Sequence, residues 1–191
     1  MPSPVGHILG GAAVYLAASR GEYRSRAVLG VTLLSSILPD FDFLPGILIG
    51  DPSAFHHGIS HSLTVAVFVG SLVFFFGRRL HTKIAVQTAT LAALAYFFHI
   101  VLDAVSVNEG TRGVPILWPW SDRQFGINLH LFGFFHHGGL YRGIWSIVRW
   151  DNLPALIREI SVLGIPVLIL FLWQKRNRKP LPSWRRSLAR K

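Results

Sequence analysis

Long apolar runs separated by short polar segments dominate the pattern of this chain. Several stretches contain no Asp, Glu, Lys or Arg, among them 52–77, 84–102, 124–141 and 160–174. A helix that crosses a bilayer needs about 20 mostly apolar residues, with a range of roughly 17–25. Residues 84–105 have that length, and so do 153–173, although Arg158, Glu159 and Pro166 interrupt the second run. The pattern therefore predicts an all-α, polytopic transmembrane bundle.

The polar segments divide this bundle into predicted helices. They run at about 5–19, 27–38, 61–76, 84–105 and 153–173. Residues 39–55 and 106–128 are predicted loops, the second because of its Gly, Pro and polar residues. Residues 130–150 are apolar but rich in Gly and His, which leaves a crossing, re-entrant or interfacial segment open. No basic residue precedes the first apolar run, so we expect it to be kept as a helix rather than cleaved.

The composition supports a membrane protein over a soluble bundle of buried helices. Only 15% of the residues are charged and 51% are hydrophobic, whereas a soluble domain has about 25% charged residues. The net charge of +10 comes mostly from residues 174–191, which hold eight Lys or Arg and no acid. We therefore expect one helical membrane domain, 1–173, followed by a basic tail. The absence of Cys excludes disulfides and thiolate metal ligands.

The charged and polar residues are predicted to separate between the two ends of the helices. The basic loops at 20–26 and 77–83 and the basic tail fall at one end, which the positive-inside rule places in the cytoplasm. His81 lies in a basic loop and is excluded from any site. The residues expected at the other end, towards the outer face, are His7, Asp40, Asp42, His56, His57, His61, His99 and Asp103.

Such a group of ionisable residues at membrane depth is costly and usually functional. His99 and Asp103 are four residues apart and share a helix face. His57 and His61 have the same spacing if the third helix starts early. Imidazole together with carboxylate suits zinc, manganese or iron, and the His-rich, Cys-free set favours zinc.

Each motif also has a structural explanation on its own. Asp40 and Asp42 lie between Pro39 and Pro45, which predicts that the second helix ends and a turn follows. His7 alone is compatible with an interfacial histidine, and residues 56–61 alone with a loop before a helix. The convergence of all the motifs, more than any one of them, indicates a metal site.

Taken in order, the motifs resemble one known family. They are GH at 6–7, LPDFD at 38–42, HHGISHS at 56–62, HIVLD at 99–103 and GVPILWP at 113–119. The set resembles the YdjM-like membrane-bound metal-dependent hydrolases, a family distantly similar to zinc-dependent phospholipase C and to single-strand nucleases. The resemblance covers roughly residues 1–120.

The resemblance implies a set of site residues. As metal ligands or their immediate supports it gives His7, Asp40, Asp42, His56, His61, His99 and Asp103. The family carries Arg where this chain has His57, so His57 is an extra ligand or a proton carrier. His130, His136 and His137 lack an acid four residues later, which favours one or two ions over three.

The preferred hypothesis is metal-dependent hydrolysis of a phosphoester in a lipid or lipid-linked substrate. Asp42 or His57 would orient the attacking water or accept its proton. Asp40 and Asp103 would hold metal, with Asp103 as a candidate bridge. Trp118 and Trp120 are interpreted as interfacial anchors, with a substrate lid as the alternative.

Two other functions remain open at this stage. One is a non-catalytic metal-binding membrane protein that transports or senses an ion. The other is a nuclease, suggested by the basic tail and the nuclease-like relatives. A basic segment next to a membrane is more simply a topology signal that also binds anionic lipid, so nucleic acid is a disfavoured partner.

Overall fold

The computed structural model describes residues 2–19, 25–51, 54–107, 112–127, 129, 131–133 and 150–177. The α-helices are α1 (Pro4–Ala18), α2 (Arg26–Ser35), α3 (Phe43–Leu48), α4 (Leu63–Arg79), α5 (Ala85–Ala104), α6 (Leu153–Glu159) and α7 (Ile165–Arg176). Within these described ranges, β pairing is limited to one isolated bridge between Val114 and Phe125. The predicted all-α class is confirmed.

Serine side chains begin three of these helices where the sequence predicts their starts. Ser3, Ser25 and Ser62 lie just before α1, α2 and α4, and each hydroxyl accepts a hydrogen bond from a main-chain N–H of the first turn. Such caps satisfy N–H groups that have no partner inside the helix.

The segment predicted as a loop at 39–55 is instead partly helical. A 3₁₀ helix, Leu38–Asp42, leads directly into α3. Pro39 stands in the first turn of the 3₁₀ helix, where a proline costs no hydrogen bond and its fixed φ suits a helix. Pro39 therefore starts a new helical turn, and α2 has already ended at Ser35.

The third predicted helix starts later than the expectation. The chain passes His57 with a φ of 59°, forms a short 3₁₀ turn at Ile59–His61 and enters α4 only at Leu63. His57 and His61 consequently do not share a helix face. Their side chains are brought together by the turn that precedes α4.

Among the described residues, two helical stretches are long and apolar enough to cross a membrane. They are Ala85–Ala104 and Trp150–Arg176. A third span results if Arg26–Ser35 and Leu38–Leu48, which are bent by 49°, are taken as one. Within Trp150–Arg176, a π-helical turn, Ile160–Gly164, joins α6 to α7. Pro166 lies in the first turn of α7, where a proline costs no helical hydrogen bond. The α1 helix is apolar but shorter.

Small residues bring α4 and α5 close together. A Cβ added to Gly70 would lie 2.8 Å from Cβ of Ala93, and one added to Gly77 would lie 2.9 Å from Cβ of Ala85. Small residues at helix contacts are typical of membrane bundles. The outer surface of the bundle is apolar, with Phe75 and Ile169 among its exposed side chains.

The two ends of the bundle differ in charge as predicted. Arg78 and Arg79 end α4, while Lys175 and Arg176 end α7. The side chain of Gln174 donates a hydrogen bond to the carbonyl of Leu16, at the carboxyl end of α1. The basic end of α7 is therefore opposite the end of α1 that carries His7. Residues 178–191 and the predictions for His130, His136 and His137 lie outside the described residues.

Candidate metal centre

Four parts of the chain meet at the end of the bundle opposite these basic residues. The first turns of α1 provide His7, and the last two turns of α5 provide His99 and Asp103. The 3₁₀ helix after α2 carries Asp40 and Asp42, and the turn before α4 carries His56, His57 and His61. Every one of the predicted site residues is thus brought to one place.

The donor atoms of this cluster form overlapping sets that could hold a metal ion. In each set one donor atom per residue lies within 4.8 Å of the others, and the sets are His7, Asp40, His99 and Asp103; Asp40, His56 and His61; and His57, His61 and Asp103. Asp40, His61 and Asp103 each belong to two sets. The shared carboxylates therefore suit either a single ion or two neighbouring ions.

Asp103 is the centre of the cluster. Its Oδ2 lies 3.0 Å from Nε2 of His99 and 3.3 Å from Nε2 of His61, and its Oδ1 lies 3.5 Å from Nε2 of His7. The carboxylate is buried, with 1% of its side chain exposed. Within the residues that the structure describes, neither of its oxygens has a hydrogen-bond partner. A buried carboxylate without hydrogen bonds is costly unless a cation compensates it.

Asp40 closes the cluster on the side nearer to solvent. Its Oδ1 lies 3.5 Å from Nε2 of His99 and 4.0 Å from Nε2 of His61. Its Oδ2 lies 4.0 Å from Nε2 of His7. About a fifth of the Asp40 side chain is exposed (22%), so this carboxylate contacts both the buried histidines and solvent.

Oxygen atoms hold the histidine rings from behind. Nδ1 of His99 lies 2.8 Å from the carbonyl of Ser36, and Nδ1 of His57 lies 2.9 Å from the carbonyl of Arg112. A carbonyl only accepts, so each Nδ1 carries the proton and each Nε2 presents its lone pair to the cluster. Metal-binding histidines are normally fixed in this way.

Asp42 supports two other rings instead of facing the centre. Its Oδ1 lies 2.9 Å from Nδ1 of His56, and its Oδ2 lies 3.2 Å from Nδ1 of His61. Ser60 donates a further hydrogen bond of 2.7 Å to Oδ2. Both oxygens are thus occupied by the residues that they orient. This geometry favours a supporting carboxylate, and the predicted roles of Asp42 as ligand and proton acceptor stay predictions.

The two buried histidines of the turn before α4 have pKa values displaced in opposite directions. Burial lowers the pKa of His57 to about 4, so this imidazole is neutral near pH 7. Burial also acts to lower the pKa of His61, but the adjacent carboxylates of Asp103 and Asp42 outweigh it and raise the value to about 9. A positive charge is therefore favoured beside Asp103, where a metal ion would replace the proton.

Several supporting groups were missed by the sequence reasoning. The carbonyls of Ser36 and Arg112 hold rings through the main chain, which no residue type signals. Tyr96 of α5 donates a 2.8 Å hydrogen bond to the carbonyl of Ser60 and so fixes the turn that carries His61. Ser60 itself stands within the HHGISHS motif and was a detectable candidate.

These features define a class of protein: an integral membrane helical protein with a buried His/Asp cluster that could hold a metal ion at one end of its helices. The YdjM inner membrane protein family matches residues 1–179, and the chain belongs to that family. The resemblance to the YdjM family is thereby confirmed, and it extends beyond residue 120. The distant similarity to phospholipase C and to nucleases stays a prediction.

One curated relative gives a closer comparison. The chain is 35% identical over 96 residues to the inner membrane protein YbcI of Escherichia coli strain K12. The alignment covers 49% of this chain and 54% of YbcI, so the chain spans about half of the length of that relative. No solved structure matches the chain. The side of the membrane on which the cluster lies stays a prediction.

Proposed function

We propose that this protein is a membrane-embedded, metal-dependent hydrolase that cleaves a phosphoester of a lipid or lipid-linked substrate. One observation carries the proposal: the Nε2 atoms of His61 and His99, whose Nδ1 atoms contact oxygen, converge on the buried carboxylate of Asp103, which has no hydrogen bond within the described part of the chain. A cluster that served only to stabilise the bundle would pair this carboxylate with hydrogen-bond donors.

The spacing of the donor atoms supports a transition metal. Ligand atoms about 2.0–2.1 Å from a tetrahedral zinc ion lie roughly 3.3 Å from one another. Nε2 of His99 and Nε2 of His61 are 3.3 Å apart, and the distances from Asp103 to the three nearest imidazoles are 3.0–3.5 Å. Zinc is the preferred ion, with manganese or iron as alternatives, and one or two ions would be held.

A divalent ion held there would supply a water of lowered pKa and positive charge beside phosphoryl oxygens. The protein residues would do the rest. The ion in the buried half of the cluster would be held by His7, His99, Asp40 and Asp103. Asp42 would keep the rings of His56 and His61 in their orientation. The buried Nε2 of His57 lies 3.9 Å from Oδ2 of Asp103 and has no hydrogen-bond partner among the described residues. It is the candidate ligand or proton acceptor beside a second ion.

The surroundings of the cluster support an amphiphilic substrate. The site lies at the ends of apolar helices, and the loop with Trp118 and Trp120 lies on the same side. Tryptophan is enriched at the level of the headgroups, and Trp120 is 80% exposed. A substrate whose phosphate is in the headgroup layer would reach the cluster without leaving the membrane.

Elemental analysis followed by a turnover screen tests the proposal. The protein purified in detergent should contain close to one or two equivalents of a divalent metal and should hydrolyse at least one phosphorylated lipid. Asp103→Asn should lose both the metal and the turnover. Asp51→Asn is the matched control, because Asp51 is exposed and lies outside the cluster; it should retain both.

Two results would contradict the proposal. Turnover retained by a metal-free Asp103→Asn protein would remove the cluster from the reaction. A protein that binds metal, turns over no phosphoester and carries the ion across liposome membranes would instead be a transporter. Cleavage of DNA or RNA by the purified protein, abolished in Asp103→Asn, would favour the nuclease.

A further inference from the structure

A small cleft opens beside the cluster. Its volume is about 200 Å³, and its lining includes His56, His57, Arg112, Trp118, Asp122 and Gln124. The first two belong to the candidate metal centre. The other four come from the segment after α5, in which the sequence analysis gave a role only to Trp118, as an interfacial anchor or a substrate lid. The cleft therefore places the candidate metal centre next to a cationic, an anionic, an aromatic and an amide side chain.

We propose that this cleft binds the zwitterionic headgroup of a phospholipid, with Arg112 on the phosphate and Asp122 on the cationic group. The inference rests on the proposed function, since it names the substrate of the same centre. Recognition of a zwitterionic headgroup requires a positive and a negative side chain in one cleft. Arg112 and Asp122 both line this cleft.

Arg112 is fixed next to the centre through its main chain. Its carbonyl accepts the hydrogen bond of 2.9 Å from Nδ1 of His57, while its side chain is exposed. In the part of the chain that the structure describes, no carboxylate forms an ion pair with its guanidinium. A guanidinium with free donors binds phosphate through two parallel hydrogen bonds. A phosphate held by Arg112 would lie beside His57.

Asp122 decides between classes of headgroup. A carboxylate in a cleft that binds a phosphate repels any substrate whose headgroup is purely anionic. The same carboxylate attracts an ammonium group, and the ring of Trp118 in the same lining adds a surface that favours cations. The pair of Arg112 and Asp122 therefore matches a headgroup that carries both charges.

The size of the cleft is consistent with a headgroup rather than a whole lipid. Pockets for drug-sized ligands measure about 300–1,000 Å³, and this cleft has about 200 Å³. Phe55 and Ile59, which also line it, are 47% and 56% exposed. The acyl chains would stay outside the cleft, against this apolar rim and the surrounding bilayer.

Turnover by the metal-loaded protein in mixed micelles provides the first test. Phosphatidylethanolamine, phosphatidylglycerol and phosphatidic acid are compared at equal mole fraction, and the zwitterionic lipid should have the highest kcat/KM. Arg112→Gln should raise KM by about tenfold or more, because a charge-assisted hydrogen bond is lost. Arg123→Gln, which changes an exposed arginine outside the lining, should leave KM unchanged.

Asp122→Asn tests the headgroup preference separately. It should reduce the ratio of kcat/KM between the zwitterionic and the anionic lipid by about fivefold or more, since the repulsion and the attraction are both removed. Asp51→Asn serves as the control. A wild-type preference for the anionic lipids, or an unchanged ratio in Asp122→Asn, would overturn the inference while leaving the hydrolase intact.

A binding measurement covers the case in which the proposed function itself fails. Phosphoethanolamine and inorganic phosphate are titrated into the purified protein by calorimetry. Tighter binding of phosphoethanolamine, weakened in both Arg112→Gln and Asp122→Asn, would support the cleft even if no lipid is hydrolysed. Absence of binding by the wild type, or equal binding by all the variants, would overturn the inference.

Discussion

The carboxylate of Glu159 binds Ser3 across 156 residues of sequence. Its Oε1 accepts a 2.7 Å hydrogen bond from the main-chain N–H of Ser3, and its Oε2 accepts a 2.5 Å bond from the hydroxyl. Glu159 is completely buried. Ser3 is also the residue that caps α1, so this contact fixes the start of the helix that presents His7.

Glu159→Gln should therefore destabilise the protein and loosen the site. The amide NH₂ is a donor and would face one of the two donors of Ser3, so both groups would lose their hydrogen bond. Leaving buried polar groups without a partner costs about 1–3 kcal/mol of folding free energy. We expect a lower unfolding temperature in detergent and weaker metal binding. Asp122→Asn makes the same chemical change at an exposed position and should keep the wild-type unfolding temperature. Equal temperatures for the two variants would show that the contact contributes nothing.

Asp42 and Asp103 should differ in how strongly they affect metal binding. Asp42 orients His56 and His61 from behind, and loss of such a support reduces metal affinity by about 10–100-fold. Asp42→Asn should thus weaken the binding of zinc measurably, whereas Asp103→Asn should abolish it. Competition with a chelator of known affinity measures both. If Asp42→Asn also abolished binding, Asp42 would be a ligand, as the sequence alone suggested.

Sequence patterns were sufficient to predict which residues form the His/Asp cluster, but they did not give the arrangement of side chains within it. His99 and Asp103 could be paired correctly because both lie on one regular helix. The proximity of His57 and His61 could not be predicted correctly, since it depends on the left-handed φ of His57 and on a 3₁₀ turn. Periodicity describes regular elements only.

Contacts over long separations account for the other omissions. Glu159 was interpreted as an interruption of an apolar run, because its partner Ser3 lies at the opposite end of the chain. Arg112 belongs to a loop whose path is set by the pairing of Val114 with Phe125. Neither residue has a local signal, and only the folded chain shows what it contacts.

Gly70 should be required for the close approach of α4 and α5. A methyl group there would lie 2.8 Å from Cβ of Ala93 and 3.2 Å from the carbonyl oxygen of Ala89, and overpacking of this kind costs about 1–3 kcal/mol. Gly70→Ala should lower the unfolding temperature and, by separating His61 from His99, weaken metal binding. Gly30→Ala is the matched control, since a Cβ at Gly30 meets nothing within 4 Å. It should be neutral or slightly stabilising because alanine favours helices.

The two ends of the bundle should lie on opposite sides of the membrane, with the His/Asp cluster outside. The basic loop contains His81, which is exposed, and the loop beside the cluster contains Arg123, also exposed. The chain has no cysteine, so single cysteines can be labelled without background. In intact cells a membrane-impermeant maleimide should label Arg123→Cys at once but label His81→Cys only after permeabilisation. The unsubstituted chain should take up no label under either condition. The reverse pattern would place the cluster in the cytoplasm, and labelling of both variants in intact cells would show that the ends of the helices are not separated by the bilayer.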